Sequence, residues 1–98
     1  MAGNMKMDFG ALEDSAKKYG TGADDIDQVL QNLTSEQQVI LGIWEGEAAR
    51  QFDAQFQELS PKVQQFAELL RDINSQLNES ARIMRETDEQ LSKVYGLQ

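Results

Sequence analysis

The chain has 98 residues, with 17 Asp and Glu against 9 Lys and Arg, and a net charge of -8. This length supports one small domain. The chain contains no Cys and no His, which excludes disulfides, thiolate metal sites, a Cys nucleophile and the usual neutral-pH proton carrier. The acidic excess repels a phosphate backbone, so we expect no nucleic-acid binding.

The first ten residues, MAGNMKMDFG, have neither the apolar core nor the cleavage pattern of a signal peptide. The longest unbroken apolar run in the chain is three residues, Val39 to Leu41, so no membrane-spanning segment is expected.

Helix 1 is predicted from about residue 8 to residue 43. Asp8 can cap its first turn, and Met7 is placed to pack on Leu12 as a hydrophobic staple. The apolar residues of this segment form a stripe along one helix face, and their spacing continues unchanged past Gly20 and Gly22, which predicts one continuous helix. Its members recur at alternating steps of three and four, the spacing of one helix face: Leu12, Ala16, Tyr19, Ala23, Ile26, Leu30, Leu33, Gln37, Ile40 and Trp44.

The predicted turn is Trp44-Glu45-Gly46, residues 44–46. We expect Gly46 to end helix 1, because glycine accepts the left-handed conformation that closes many helices. Glu47 then suits the first turn of helix 2, where a carboxylate meets the positive end of the helix dipole. The result is an antiparallel helical hairpin.

Helix 2 is predicted from about residue 47 to residue 95. At Ser60-Pro61 either a new helix begins or a continuous helix kinks at residue 61. The unbroken spacing from Leu59 to Val63 favours the kinked helix. The second stripe again follows steps of three and four: Ala49, Phe52, Phe56, Leu59, Val63, Phe66, Leu70, Ile73 and Leu77.

In a single hairpin the two helices touch along one line of contact, the seam, and this leaves part of each apolar stripe in water. We therefore predict an all-α fold in which two hairpins form a four-helix bundle. The residues assigned to the core and dimer stripe are Ile26, Leu30, Leu33, Ile40, Phe52, Phe56, Leu59, Val63, Phe66, Leu70 and Ile73. Helix 2 is longer than helix 1, and from about Ile83 onward it should extend beyond the start of helix 1. In an antiparallel dimer this C-terminal extension would lie near Trp44 of the other copy.

Catalysis is not expected from this chain, and neither is a cofactor, a metal ion or a small-molecule ligand. A di-metal site in a helical bundle normally uses Glu-x-x-His, which needs histidine. A thin hairpin also offers no cleft for paired carboxylates. We interpret Asp24, Asp25 and Asp27 as a solvated face.

The triplet Trp44-Glu45-Gly46, between two helices in a chain of about a hundred residues, resembles the WXG family of ESAT-like proteins. YGTGADDI, WEGEAARQF, QFQELSPKVQQFAELL and the ending YGLQ are similar to Firmicute members of the EsxA type. The resemblance implies a virulence-associated protein that the type VII (Ess/ESX) system secretes, folded and dimeric, from the cytoplasm without a cleaved signal peptide. It also implies the secretion ATPase as a partner. Homodimers are typical of Firmicute relatives, and a heterodimer with a WXG paralogue is the alternative.

Export signals in this family lie near the C-terminus. One form, a Tyr with an acidic residue four positions later, is absent, because only three residues follow Tyr95. A second form, with hydrophobic, acidic, hydrophobic and hydrophobic residues at fixed spacing, fits Met84, Asp88, Leu91 and Tyr95.

Three other functions remain open at this stage. The chain could be a cytosolic coiled-coil scaffold, or a co-secretion partner for other type VII substrates. It could also perturb membranes at low pH, once its carboxylates are neutralised, although its acidic polar face opposes this near neutral pH.

Overall fold

The structure, a computed structural model, describes the backbone of residues 8–96 and the side chains of residues 8–91. Two helices account for almost all of it: α1, Phe9–Ile43, and α2, Glu47–Gly96, with no strand in the described range. They pack antiparallel into a rod of 80 × 19 × 17 Å. The predicted all-α hairpin is confirmed, while its pairing with a second hairpin stays a prediction. Neither helix combines the length and apolarity that a membrane span requires, over the residues described.

Helix α1 begins as its sequence predicts. The Asp8 carboxylate accepts a hydrogen bond from the backbone N–H of Ala11 at 2.9 Å, and the Asp8 carbonyl accepts one from Leu12 at 3.0 Å. The carboxylate thereby satisfies one of the N–H groups that a helix start leaves without a partner. Met7, the other half of the predicted staple, lies outside the described residues.

The turn spans residues 44–46, as predicted, but Gly46 has a different role in it. Helix α1 ends at Ile43, and Trp44 follows it in an extended conformation, with φ -136° and ψ 121°. Gly46 has φ +105°, and its carbonyl accepts a hydrogen bond from Arg50 N at 3.1 Å. Gly46 therefore starts α2 instead of ending α1. Its positive φ strains any residue with a Cβ, although no atom lies within 4 Å of where that Cβ would be.

The seam between the helices is lined mainly by small side chains. Buried residues in α1 recur every seven positions, at Ala16, Ala23, Leu30 and Gln37. Those in α2 are Ala49, Ala67 and Ala81. Gly20 shows how closely the helices approach, since a Cβ there would lie 2.9 Å from Asn74 Nδ2. Small residues let the two backbones come together, and this leaves the larger apolar side chains beside the seam.

Helix α2 continues through Pro61. The Ser60 hydroxyl donates to the Phe56 carbonyl oxygen at 3.1 Å, a bond to the preceding turn. A helix that began at Ser60-Pro61 would instead use this hydroxyl to cap the residues that follow it.

Candidate interaction surface

The two sides of the seam differ in chemistry. On one side, which we call the apolar face, an open groove lies between the helices and Lys62 is its only charged residue. It is lined by Ile26, Val29, Leu30, Leu33, Phe56, Leu59, Lys62, Val63 and Phe66. Leu33 is 48% exposed, Leu59 49% and Phe66 53%, so large side chains stay half in water.

The predicted core and dimer stripe runs along this apolar face. Of its eleven members, only Leu30 is buried. Leu33, Leu59 and Phe66 are exposed. The others are half-buried: Ile26, Ile40, Phe52, Phe56, Val63, Leu70 and Ile73. Most residues of the predicted stripe thus lie beside the contact between the two helices, and alanines form most of the buried interior.

The apolar face continues to the turn. A second groove there includes Ile40 and Phe52. The Trp44 and Phe52 rings lie 5.7 Å apart between centroids and are tilted by 45°, a favourable aromatic geometry. Phe52 covers only part of the indole, since Trp44 is 41% exposed, and Ile43 beside it is 80% exposed.

The opposite side of the seam is polar, and Arg71 is its centre. The guanidinium donates to Asp24 at 3.0 Å, to Glu68 at 2.9 Å and to Asp27. The hydrogen bonds that Arg71 donates to Asp27 and then to Asp24 raise the pKa of Arg71. Asp24 is exposed, as the predicted solvated face requires, and both Asp24 and the half-buried Asp27 also bind an arginine of the other helix. Asp25 is exposed.

A second ion pair joins the helices near the open end of the hairpin. Arg85 donates to both carboxylate oxygens of Glu13, at 3.1 and 3.2 Å, and its Cζ lies 5.2 Å from the centroid of the Phe9 ring. The hydrogen bond from Arg85 lowers the pKa of Glu13. Contacts with α1 thus reach Arg85, close to Ile83, where we predicted that helix 2 would outlast helix 1.

One polar pair lies within the seam. Gln37 is only 3% exposed, and its Nε2 donates to Asp53 Oδ1 at 3.2 Å. The sequence pattern counted Gln37 as a member of the apolar stripe. Burial of an amide is costly unless it is hydrogen-bonded, and Asp53 supplies that bond.

The residues of the predicted export signal lie on the last turns of α2. Met84 is 43% exposed and Leu91 51%, and Asp88 is exposed. The side chain of Tyr95 lies outside the described range. Asp88 lies seven residues after the buried Ala81 but is itself exposed, so its carboxylate is not in the hairpin interior.

The described residues contain no group of three or more acidic side chains arranged to hold a metal ion. Every buried side-chain polar atom among them has a hydrogen-bond partner.

Sequence reasoning missed the alanine seam and the ion pairs across it. A signal for both was present. Ala16 and Ala23 are seven residues apart and Ala67 and Ala81 fourteen, a spacing that keeps small residues on one side of each helix. An antiparallel hairpin places early residues of α1 beside late residues of α2, as in the pairs Glu13 with Arg85 and Asp27 with Arg71.

Comparisons with known proteins agree with this geometry. The family model described as "Proteins of 100 residues with WXG" matches residues 4–89. "Type VII secretion system extracellular protein A" from Staphylococcus aureus, in strains USA300 and Newman, is 46% identical over 94 residues, which cover 96% of this chain and 97% of that protein. The crystal structure of Geobacillus thermodenitrificans EsxA superposes with a TM-score of 0.81 at 30% identity, over 90% of this chain and 98% of the other.

Proposed function

Because this chain belongs to the WXG100 family and is a type VII secretion substrate of the EsxA type, we propose that it acts as a dimeric helical adaptor. It leaves the cell folded, through the type VII system, and binds its targets outside as a virulence-associated protein. The observation that carries the proposal is the half-exposed apolar face of the single hairpin.

The apolar face has the size of a stable interface. Helix α1 has 35 residues, and at about 1.5 Å each it is about 52 Å long. With a rod width of 19 Å, the face measures about 1,000 Å². A standard protein interface buries about 800 Å² on each partner.

We propose a second copy of this chain as the occupant of the apolar face. The alternative occupant is a WXG paralogue, in which case the chain is a co-secretion partner. The mass of the purified protein in solution, measured by light scattering, separates the two. A homodimer has about twice the 11.0 kDa of one chain, whereas a chain that needs a paralogue stays at the mass of one.

A pair of neighbouring substitutions tests the role of the apolar face. Phe66→Asp places a charge within the face and should convert the dimer to monomers. Gln65→Asp adds the same charge on the exposed outer side of α2 and should leave the mass unchanged. Equal masses for the two variants would contradict the proposed interface.

We propose the end of α2 as the export signal, with Met84, Asp88, Leu91 and Tyr95 read by the secretion ATPase. The exposure of Met84, Asp88 and Leu91 supports this, since a docking protein can reach them. Asp88→Ala and Leu91→Ala should each reduce the protein in culture supernatants. The control variants Glu89→Ala and Gln90→Ala change exposed neighbours outside the pattern. Equal export of all four would refute the signal.

A further inference from the structure

We propose that Gln37 and Asp53 are positioning residues for Trp44. The hydrogen bond between them, inside the seam, holds the indole in one place on the apolar face. The pair lies close to the turn, since Gln37 is seven residues before Trp44 and Asp53 is seven residues after Gly46. The bond lies within a single hairpin, so its role does not depend on the proposed dimer.

The place of the Trp44 side chain depends on α2. Helix α1 ends at Ile43, and Trp44 follows it in an extended conformation. The backbone hydrogen bond of the turn runs from Arg50 N to the Gly46 carbonyl oxygen and does not involve Trp44. The indole packs on the Phe52 ring, with 5.7 Å between the ring centroids. The position of Phe52 relative to α1 therefore decides where the indole can pack.

The Gln37–Asp53 bond fixes that position. Asp53 directly follows Phe52 in α2, so a bond that holds the one also holds the other. Gln37 Nε2 donates to Asp53 Oδ1 at 3.2 Å, and Gln37 is only 3% exposed, so water has little access to this bond. Gln57, one turn further along α2, donates to the same oxygen at 3.5 Å. The carboxylate is thus oriented by its own helix and held by the other.

The rest of the seam near the turn selects no single placement of the helices. Within residues 8–91, the next hydrogen bond between the two helices is from Arg71 to Asp27, which is ten residues, or about 15 Å, from Gln37 along α1. Alanine offers only a methyl group to the seam, and apolar contacts are not directional. A hydrogen bond has a preferred length and direction, so the Gln37–Asp53 pair can select one placement.

The chemistry of the pair suits positioning better than stabilisation. Gln37 continues a buried line whose other members are Ala16, Ala23 and Leu30, and leucine would bury more apolar area there. A hydrogen bond inside a protein replaces bonds to water, so its net contribution to stability is small. A displaced helix, in contrast, would leave the buried amide without a partner, which is costly. Single polar residues in helix seams select one register in this way.

A fixed indole is prepared for binding. Trp44 is 41% exposed at the end of the apolar face. Large aromatic side chains supply much of the binding energy at protein interfaces, and holding one in place beforehand reduces the entropy lost on binding. Gln37 and Asp53 therefore act on the interaction surface through Trp44, without contact with the bound protein.

Fluorescence tests the proposal, because Trp44 is the only tryptophan in the chain. The main variant combines Gln37→Leu with Asp53→Ala, which removes both polar groups and leaves neither without a partner. We expect acrylamide to quench this variant more strongly than the wild type, by up to about twofold, since the indole is 41% exposed before its release. The melting temperature should equal or exceed that of the wild type, because apolar residues replace a buried polar pair.

Two control variants separate the hydrogen bond from other effects of substitution. Asp53→Asn keeps a side-chain oxygen that can accept from Gln37, so quenching should stay at the wild-type value. Gln38→Leu makes the same change as Gln37→Leu at an exposed neighbour and should also leave quenching unchanged.

Unchanged quenching in the double variant, or an equal rise in Gln38→Leu, would overturn the proposal. A rise accompanied by a lower melting temperature would do the same, since the pair would then support the whole fold. If the double variant does not fold, quenching of Asp53→Ala alone decides in its place.

Light scattering of the same samples keeps this test apart from the proposed dimer. Stronger quenching at the wild-type mass supports the positioning role, and stronger quenching found only together with a lower mass overturns it. A wild-type mass of one chain would overturn the homodimer and leave the positioning role to be decided by quenching.

Discussion

Arg85 of α2 holds Glu13 of α1, 72 residues earlier in the chain, through two hydrogen bonds of 3.1 and 3.2 Å. The same guanidinium lies over the Phe9 ring, so one side chain closes the open end of the hairpin. The seam nearby is built of alanine and glycine, which bury little apolar area. Arg85 therefore contributes a polar contact that keeps the first turns of α1 on α2.

Replacing Arg85 should loosen the beginning of α1. In Arg85→Gln we expect faster amide hydrogen exchange from Phe9 to Ala23, with exchange near the turn unchanged, because local stability follows local contacts. Arg82→Gln is the matched control, since the bonds of Arg82 within the described part of the chain are to Glu79 and Glu86 of its own helix. Equal exchange at the start of α1 in both variants would show that Arg85 does not hold it.

Acid should loosen the same end of the hairpin. The pKa of Glu13 is lowered from 4.5 by the hydrogen bond from Arg85. A carboxyl with a lowered folded pKa stabilises the fold above its unfolded pKa, and this contribution is lost as the pH falls through the folded value. Hydrogen exchange at the start of α1, corrected for its intrinsic pH dependence, should therefore rise below about pH 4.5. Glu13→Gln should remove much of this response; an unchanged response in that variant would assign it to other groups.

Replacing either of two glycines near the turn with alanine should change the free energy of unfolding, in opposite directions at the two positions. Gly46 has φ +105°, so Gly46→Ala should cost about 1–2 kcal/mol of unfolding free energy. Gly42 lies in the last turn of α1 with nothing within 4 Å of its added Cβ, so Gly42→Ala should stabilise by up to about 1 kcal/mol. Urea denaturation measures both. A Gly46→Ala chain as stable as wild type would mean that the turn does not need this conformation.

The alanine seam should not tolerate larger residues. Ala67 is fully buried, and Ala67→Leu should cost about 1–3 kcal/mol, because added methylenes force the helices apart. Ala54→Leu makes the same change at an exposed position of α2 and should have little effect. Thermal denaturation followed by circular dichroism compares the two. If both variants have the same melting temperature, the helices are less closely packed at Ala67 than its burial indicates.

Much of the fold follows from local patterns. The three-and-four spacing predicts two helices, Asp8 predicts the start of the first, and the tryptophan-glycine turn between them predicts the hairpin and the family. These features depend on neighbours within a few residues, such as Asp8 and Ala11. Local chemistry is therefore sufficient to predict them.

The sequence by itself determined that this protein has two long amphipathic helices joined at Trp44-Glu45-Gly46. Only the tertiary structure decided which part of each stripe goes inside. Periodicity states which residues share a face, but the distance between two helices depends on the side chains that meet across the seam. Alanines at Ala16, Ala23, Ala67 and Ala81 allow a close approach. That approach moves Leu33 and Phe66 to the surface and brings Arg71 and Arg85 to their carboxylates on α1.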